Sequence, residues 1–213
     1  MTSGDRPAVG VPRRRRTQAE RRAETERRVV DAAMRLVAAR GVRAVTLAAV
    51  GDAAGYSRGI VTHHFGSRQG LLDVLTKQLQ DRFAAPPSEL GGLDRLLQLV
   101  DAYLMHLRAD ELAARVFLVL WAETLTAEPD LRPVFAERDA RFRATLAECL
   151  HEGIASGATR RDVDPDALAL ALVGQLRGMG LQLLDADVDH ELLRGQVHDL
   201  LDRGLRDDRC AAA

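Results

Sequence analysis

Two adjacent histidines, His63 and His64, precede a phenylalanine in the stretch GYSRGIVTHHFGSR, residues 55–68. Such a pair has three chemistries open to it: metal ligation, proton transfer, or donation to an anion. A metal centre needs ligands that converge, whereas neighbouring helical residues diverge by about 100°, and no Cys, Asp or His follows either histidine at the third or fourth position. Acid–base work calls for a carboxylate and a pocket, and this stretch has no Asp or Glu. Ser57, Arg58 and Arg68 surround the pair, which favours the anion. Solvated surface histidines are the plain alternative.

The elements around the pair must position it. VTLAAVGDAAGYSRGIVTHHF divides at Gly55 into two short helical pieces. Thr46 can cap the first, whose Leu47, Val50 and Ala54 share a face; Ser57 can cap the second, where Val61 and Phe65 stand four apart. This spacing spells a helix-turn-helix. With Val61 and Phe65 turned inward, Gly59 and His63 point away from the core, Ile60, Thr62 and His64 lie on the flanks, and Arg58 sits in the exposed first turn. Recognition helices reach base edges with their N-terminal residues, so Arg58 is the candidate base reader, matched to guanine O6 and N7. Gly59 permits close approach and Ile60 can meet a thymine methyl. Thr62, His63 and His64 are placed for phosphates, with Thr46, Ser57 and Arg68 completing the candidate DNA-binding set.

Charge supports the assignment. The chain of 213 residues has a net charge of −1, yet residues 1–80 carry 15 Lys and Arg against 7 Asp and Glu, and the remainder 15 against 24. A basic first third joined to an acidic remainder points to two tasks, the first of them nucleic-acid binding. Residues 1–16, ending in Arg13, Arg14, Arg15 and Arg16, read as a flexible basic arm that can add phosphate or minor-groove contacts. The two cysteines, Cys149 and Cys210, are far apart and lack a metal-type spacing. The longest apolar run, Ala167 to Val173, is seven residues, too short to span a bilayer, and no apolar stretch follows the arginines as a secretory signal requires. A cytoplasmic protein with no membrane partner, no metal and no cofactor is expected.

With 46% apolar and 4% aromatic residues and abundant Leu and Ala, the fold class is all-α. A helix from Gln18 ends at Gly41, and the helix-turn-helix unit closes near residue 66; residues 67–85 form a connecting helix and AAPPSELGG breaks it. Residues 86–206 read as a larger helical domain, followed by a disordered tail at 207–213. Its helices include the apolar RVFLVLWAETL, a long helix from about Leu131 to Ser156 with Phe135, Phe142, Leu146 and Cys149 inward, one opened by Asp164-Pro165, and a last one opened by Asp189.

The stretch from Gly41 through VTLAAVGDAAGYSRGIVTHHFGSRQGLLDVL resembles the DNA-binding domain of TetR/AcrR-type bacterial transcriptional regulators. Thr46, Gly55, Ser57, Gly59, Phe65, Arg68, Leu71 and Leu72 carry the likeness over residues of about 20–80. The family pattern often has tyrosine at Thr62, tyrosine or histidine at His64, and lysine at Arg68. The resemblance implies a ligand-binding C-terminal domain and a homodimer formed by the last two helices. Gly174, Arg177, Gly178, Val197, Leu200 and Leu201 are the candidate dimer residues; Arg177 can equally face solvent or orient a ligand. Tyr103, Met105, His106, Phe117, Trp121, Gln175 and Met179 are the candidate ligand residues, several of which can be plain core.

The expected function is a sequence-specific DNA-binding regulator, a repressor released from a near-palindromic DNA operator by an unidentified small-molecule ligand. A DNA-binding dimer without an effector is the alternative. An all-α enzyme is the more distant one, since no metal spacing, phosphate-cradling loop or nucleophile–base constellation is evident.

Overall fold

The computed structural model describes residues 17–82, 88–126, 128–184 and 188–207, and these form helices without strands. The expected arm at 1–16, with Arg13 to Arg16, and residues 208–213 lie outside the described residues. The order is α1 (Gln18–Arg40), α2 (Leu47–Ala54), α3 (Arg58–Phe65), α4 (Arg68–Arg82), α5 (Gly92–Ala109), α6 (Glu111–Glu123), α7 (Arg132–Ser156), α8 (Pro165–Leu183) and α9 (His190–Leu205). Short 3-10 turns at Val42–Ala44 and Pro129–Leu131, which the sequence reading did not foresee, precede α2 and α7.

Helix ends follow local chemistry. Thr17 and Glu20 form a reciprocal capping box at the start of α1. Thr46, Ser57, Asp110, Asp164 and Asp189 each accept a backbone N–H in the first turn of the helix they precede. Gly55 ends α2 in the left-handed conformation at φ 76°, which lets the chain reverse sharply into α3.

Two apolar cores share α6. The first gathers Val29, Val30, Ala33 and Val37 of α1 with Val50, Val61, Phe65, Leu71, Leu72 and Leu75, and continues into Val116, Phe117 and Leu120 of α6 and Phe135 of α7. The second packs α5, α7 and α8, with Leu205 of α9 and Ala114 of α6. The apolar, nearly all-round pattern of α6 is thus explained: it is a wall common to both cores. Cys149 is 4% exposed in the second core, and burial pushes its thiol pKa up. No described helix is long and apolar enough to cross a membrane.

Candidate functional site

The geometry of α3 begins in the turn before it. Gly51 packs so closely under that turn that a Cβ there would lie 2.8 Å from the Tyr56 carbonyl oxygen, so α2 and α3 meet backbone to backbone. Val61 and Phe65 turn inward, as the four-residue spacing predicts, and leave Arg58, Gly59, Ile60, Thr62 and His63 exposed on one surface. A Cβ on Gly59 would meet only the Ser57 hydroxyl, at 3.8 Å. Nothing within the protein demands glycine there; the space is outside it.

Hydrogen bonding sorts the candidate donors. Ser57 Oγ accepts from the Ile60 N–H at 3.3 Å and Thr46 Oγ1 from the Ala49 N–H at 3.1 Å, which leaves each hydroxyl proton free for an external acceptor. Thr62 differs from expectation, because its Oγ1 donates to the Arg58 carbonyl oxygen at 2.9 Å and its proton is spent within the helix. His63 is exposed, while His64 is half-buried and tilted against the Phe65 ring at a centroid distance of 6.2 Å. Of the two histidines that open the question, only His63 is exposed, its ring edge-on to that of His64 at a centroid distance of 5.9 Å.

Arg68 is a correction. Expected on the DNA face, it points the other way: Nε donates to the Val45 carbonyl at 2.7 Å and Nη2 to the Val42 carbonyl at 2.9 Å. Nη1 and Nη2 grip both carboxylate oxygens of Glu128 at 3.1 and 2.7 Å. The guanidinium ties the start of α4 to the turn before α2 and to the segment before α7, with four of its five N–H groups committed.

The candidate ligand residues fall into three separate places. Tyr103, Phe117 and Trp121 come together among α5, α6 and α7. Met105 and His106 occupy a different face of α5, beside a groove of about 680 Å³ that also involves Asp101, Arg194 and His198. Gln175 and Met179 lie in a mainly apolar groove of about 470 Å³ between α8 and α9, with Gly178, Val197, Leu200 and Leu201. Two of the residues assigned to a ligand therefore belong beside the expected dimer face.

Arg177 makes the opposite exchange. Expected in the dimer seam, it is 3% exposed and faces inward. Its Nη2 donates to Asp139 Oδ1 at 2.6 Å and its Nη1 to the Tyr103 hydroxyl at 3.1 Å. The other oxygen of Asp139 accepts from Trp121 Nε1 at 3.0 Å. Arg138 joins them, its Nη1 3.7 Å from Asp139 Oδ1; burial, then Arg177, lower its pKa to about 10. Arg138 and Asp139 were missed from sequence, although the signal exists. They stand three and four residues after the inward-facing Phe135 and so share its face of α7.

The outer faces of α8 and α9 carry uncovered leucines among polar residues. Leu200 is 72% exposed, with Leu170, Leu181 and Leu192 also uncovered. Gly174 and Gly178 would carry a Cβ into open space, whereas a Cβ on Gly180 would lie 3.2 Å from Leu118 Cδ1. Gly180 is explained by packing inside this chain; the other two are not. Among the described residues no group of three or more His, Cys, Asp or Glu converges on a metal position.

Comparison with known proteins follows this division of the molecule. Residues 29–75 match the family model described as bacterial regulatory proteins, tetR family. Residues 92–206 match that of the BetI-type transcriptional repressor C-terminal domain. The chain is 28% identical over 187 residues to the HTH-type transcriptional repressor Rv1474c of Mycobacterium tuberculosis, covering 86% of this chain and 94% of that one. It is 25% identical over 208 residues to the HTH-type transcriptional regulator BetI of Vibrio campbellii, covering 93% and 96%. A crystal structure of a putative transcriptional regulator from Saccharomonospora viridis, in complex with choline, is 27% identical with a TM-score of 0.70, covering 87% and 99%.

Proposed function

Since this chain belongs to the TetR family of bacterial transcriptional regulators, we propose that it binds a near-palindromic operator as a homodimer and releases it when a small molecule occupies the C-terminal domain. The observation that carries the reading is α3: a capped helix that buries only Val61 and Phe65 and offers Arg58, Gly59, Ile60 and His63 outward. Members of this family and the relatives above are transcriptional regulators, not enzymes.

Each residue has a distinct task. Arg58 reads a base edge, with Gly59 and Ile60 admitting the groove floor and a thymine methyl. His63 and the cap hydroxyls of Thr46 and Ser57 donate to phosphates. Leu200 and Leu201 of α9, with Gly174 and Gly178 of α8, form the face that a second copy covers; burying so many exposed leucines is the driving force. Two α3 helices then enter successive major grooves about 34–36 Å apart.

Tyr103, Phe117 and Trp121 sit where α5, α6 and α7 meet, and α6 is shared with the helix-turn-helix core, so a ligand there can move α3 through α6. By linkage, DNA affinity lost on ligand binding equals ligand affinity lost on DNA binding. The Saccharomonospora regulator is in complex with choline. Choline is not carried over to this chain, because guanidinium groups already occupy the aromatic faces that would receive it.

The test is selection of duplexes from a random pool by the full-length protein, followed by footprinting. The reading requires two inverted half-sites with centres about one helical turn apart or a multiple of it; a single unrepeated site contradicts the dimer.

A further inference from the structure

We infer that Arg28 of α1 is a further DNA-binding residue: it grips a backbone phosphate at the turn between α2 and α3, held in place by the ring of Tyr56. The inference rests on the reading of α3 as the helix that enters the major groove, and it adds a contact from a helix which that reading leaves out.

The guanidinium carbon of Arg28 lies 5.2 Å from the centroid of the Tyr56 ring, within the range at which an aromatic face attracts a cation. A Cβ built on Gly55 would lie 3.5 Å from Arg28 Nη2, so the charge sits over the residue at which α2 ends. Tyr56 is half-buried and packs against the first core, which fixes its ring. Its hydroxyl lies 3.5 Å from Thr25 Oγ1, on the same side of α1 as Arg28. Arg28 itself is exposed. Glu24, the carboxylate one turn before it, is gripped by Arg27 at 2.5 Å. Among the described residues Arg28 forms no hydrogen bond or ion pair, so its N–H donors are uncommitted.

The place of the turn supplies the ligand. In a helix-turn-helix the first helix crosses the DNA backbone and the second enters the groove from its N-terminus, so the turn between them passes the phosphates at the groove edge. Ser57, Arg58 and Gly59 follow the turn directly and are all exposed. The Ser57 hydroxyl, which accepts from the Ile60 N–H and keeps its own proton, is thus a neighbouring donor to the same stretch of backbone. A planar guanidinium can offer two parallel N–H groups to two phosphate oxygens. Stacking on Tyr56 restricts the long side chain before DNA arrives, so less freedom is lost on contact. A phosphate carries no base information, so Arg28 adds affinity and orientation to what Arg58 reads.

The experiment measures binding of the full-length protein to a labelled duplex enriched from a random pool, across about 0.1–0.4 M salt, with circular dichroism and urea unfolding alongside. Arg28→Gln should keep its helicity, weaken binding roughly tenfold at the lowest salt, and reduce the log–log salt slope by about 0.9 for each half-site. The selected duplex and its single-base variants should weaken by the same factor. Arg28→Lys, which keeps the charge, should keep the slope. Tyr56→Leu should weaken binding about fivefold yet keep the slope, because the charge remains and only its placement is lost. Tyr56→Phe retains the ring and should bind as the parent does, and Tyr56→Leu added to Arg28→Gln should have no further effect on binding. The inference is overturned if Arg28→Gln keeps the parent slope, whatever it does to stability, for then the guanidinium only ties α1 to the turn. The role of Tyr56 is overturned if Tyr56→Leu binds as tightly as the parent. Arg58→Ala, measured beside them, separates the two readings: if it too binds and discriminates as the parent does, the assignment of α3 fails as well, whereas a loss there with Arg28→Gln unaffected removes Arg28 alone.

Discussion

Arg68, the first residue of α4, holds both carboxylate oxygens of Glu128, sixty residues further on, at 2.7 and 3.1 Å. The same guanidinium caps the carbonyls of Val42 and Val45, so one side chain joins the helix-turn-helix to the segment that leads into α7. A cation at this position is therefore a clasp between units and not a phosphate ligand.

Replacement of Arg68 should separate stability from DNA contact. Glu128 is 10% exposed at its side chain and Arg68 34%, so the pair is partly shielded from water. Arg68→Ala should cost about 1.5–3 kcal/mol of stability by urea unfolding, the range for hydrogen bonds to charged groups. The salt dependence of DNA binding should keep its slope, because no phosphate contact is lost; a slope reduced by about 0.9 would return Arg68 to the DNA face.

Gly59 should show stability and function moving in opposite directions. With open space on its outer side, Gly59→Ala should stabilise the free protein by about 0.5–1 kcal/mol through helix propensity. The added methyl projects toward the DNA and should weaken binding to the selected duplex. A variant that is more stable and binds as before would show that α3 does not approach the groove floor.

The outer face of α8 and α9 predicts the oligomeric state. Leu200→Glu places a charge on a residue 72% exposed in the single chain, so helicity by circular dichroism should be unchanged. Sedimentation velocity should show a dimer for the parent chain and a monomer for the variant. Gly178→Leu should act similarly, since its Cβ meets nothing within the chain. A variant that remains dimeric moves the interface elsewhere.

Much of this was legible in the sequence, and the failures share a cause. Helix ends were readable because caps are local: Thr46, Ser57, Asp164 and Asp189 act within their own first turn. The inward turn of Val61 and Phe65, and hence the outward turn of Gly59 and His63, followed from periodicity alone. Arg68 and Arg177 were misplaced because their partners, Glu128, Asp139 and Tyr103, are 38 to 74 residues away in sequence. A long cationic side chain is assigned to solvent or to an anion until its partner is known. Gln175 and Arg177, two positions apart on α8, went to the wrong faces for a related reason: helical spacing separates faces but does not say which one a neighbouring helix covers.

The most direct measurement is the affinity of Arg58→Ala and His63→Ala for the selected duplex and for its single-base variants across salt concentrations. Arg58→Ala should lose about 1–3 kcal/mol and its discrimination at one base pair in each half-site. His63→Ala should weaken all sequences alike, as a phosphate contact does. Full affinity and full discrimination in Arg58→Ala would contradict the assignment of α3 as the helix that reads DNA.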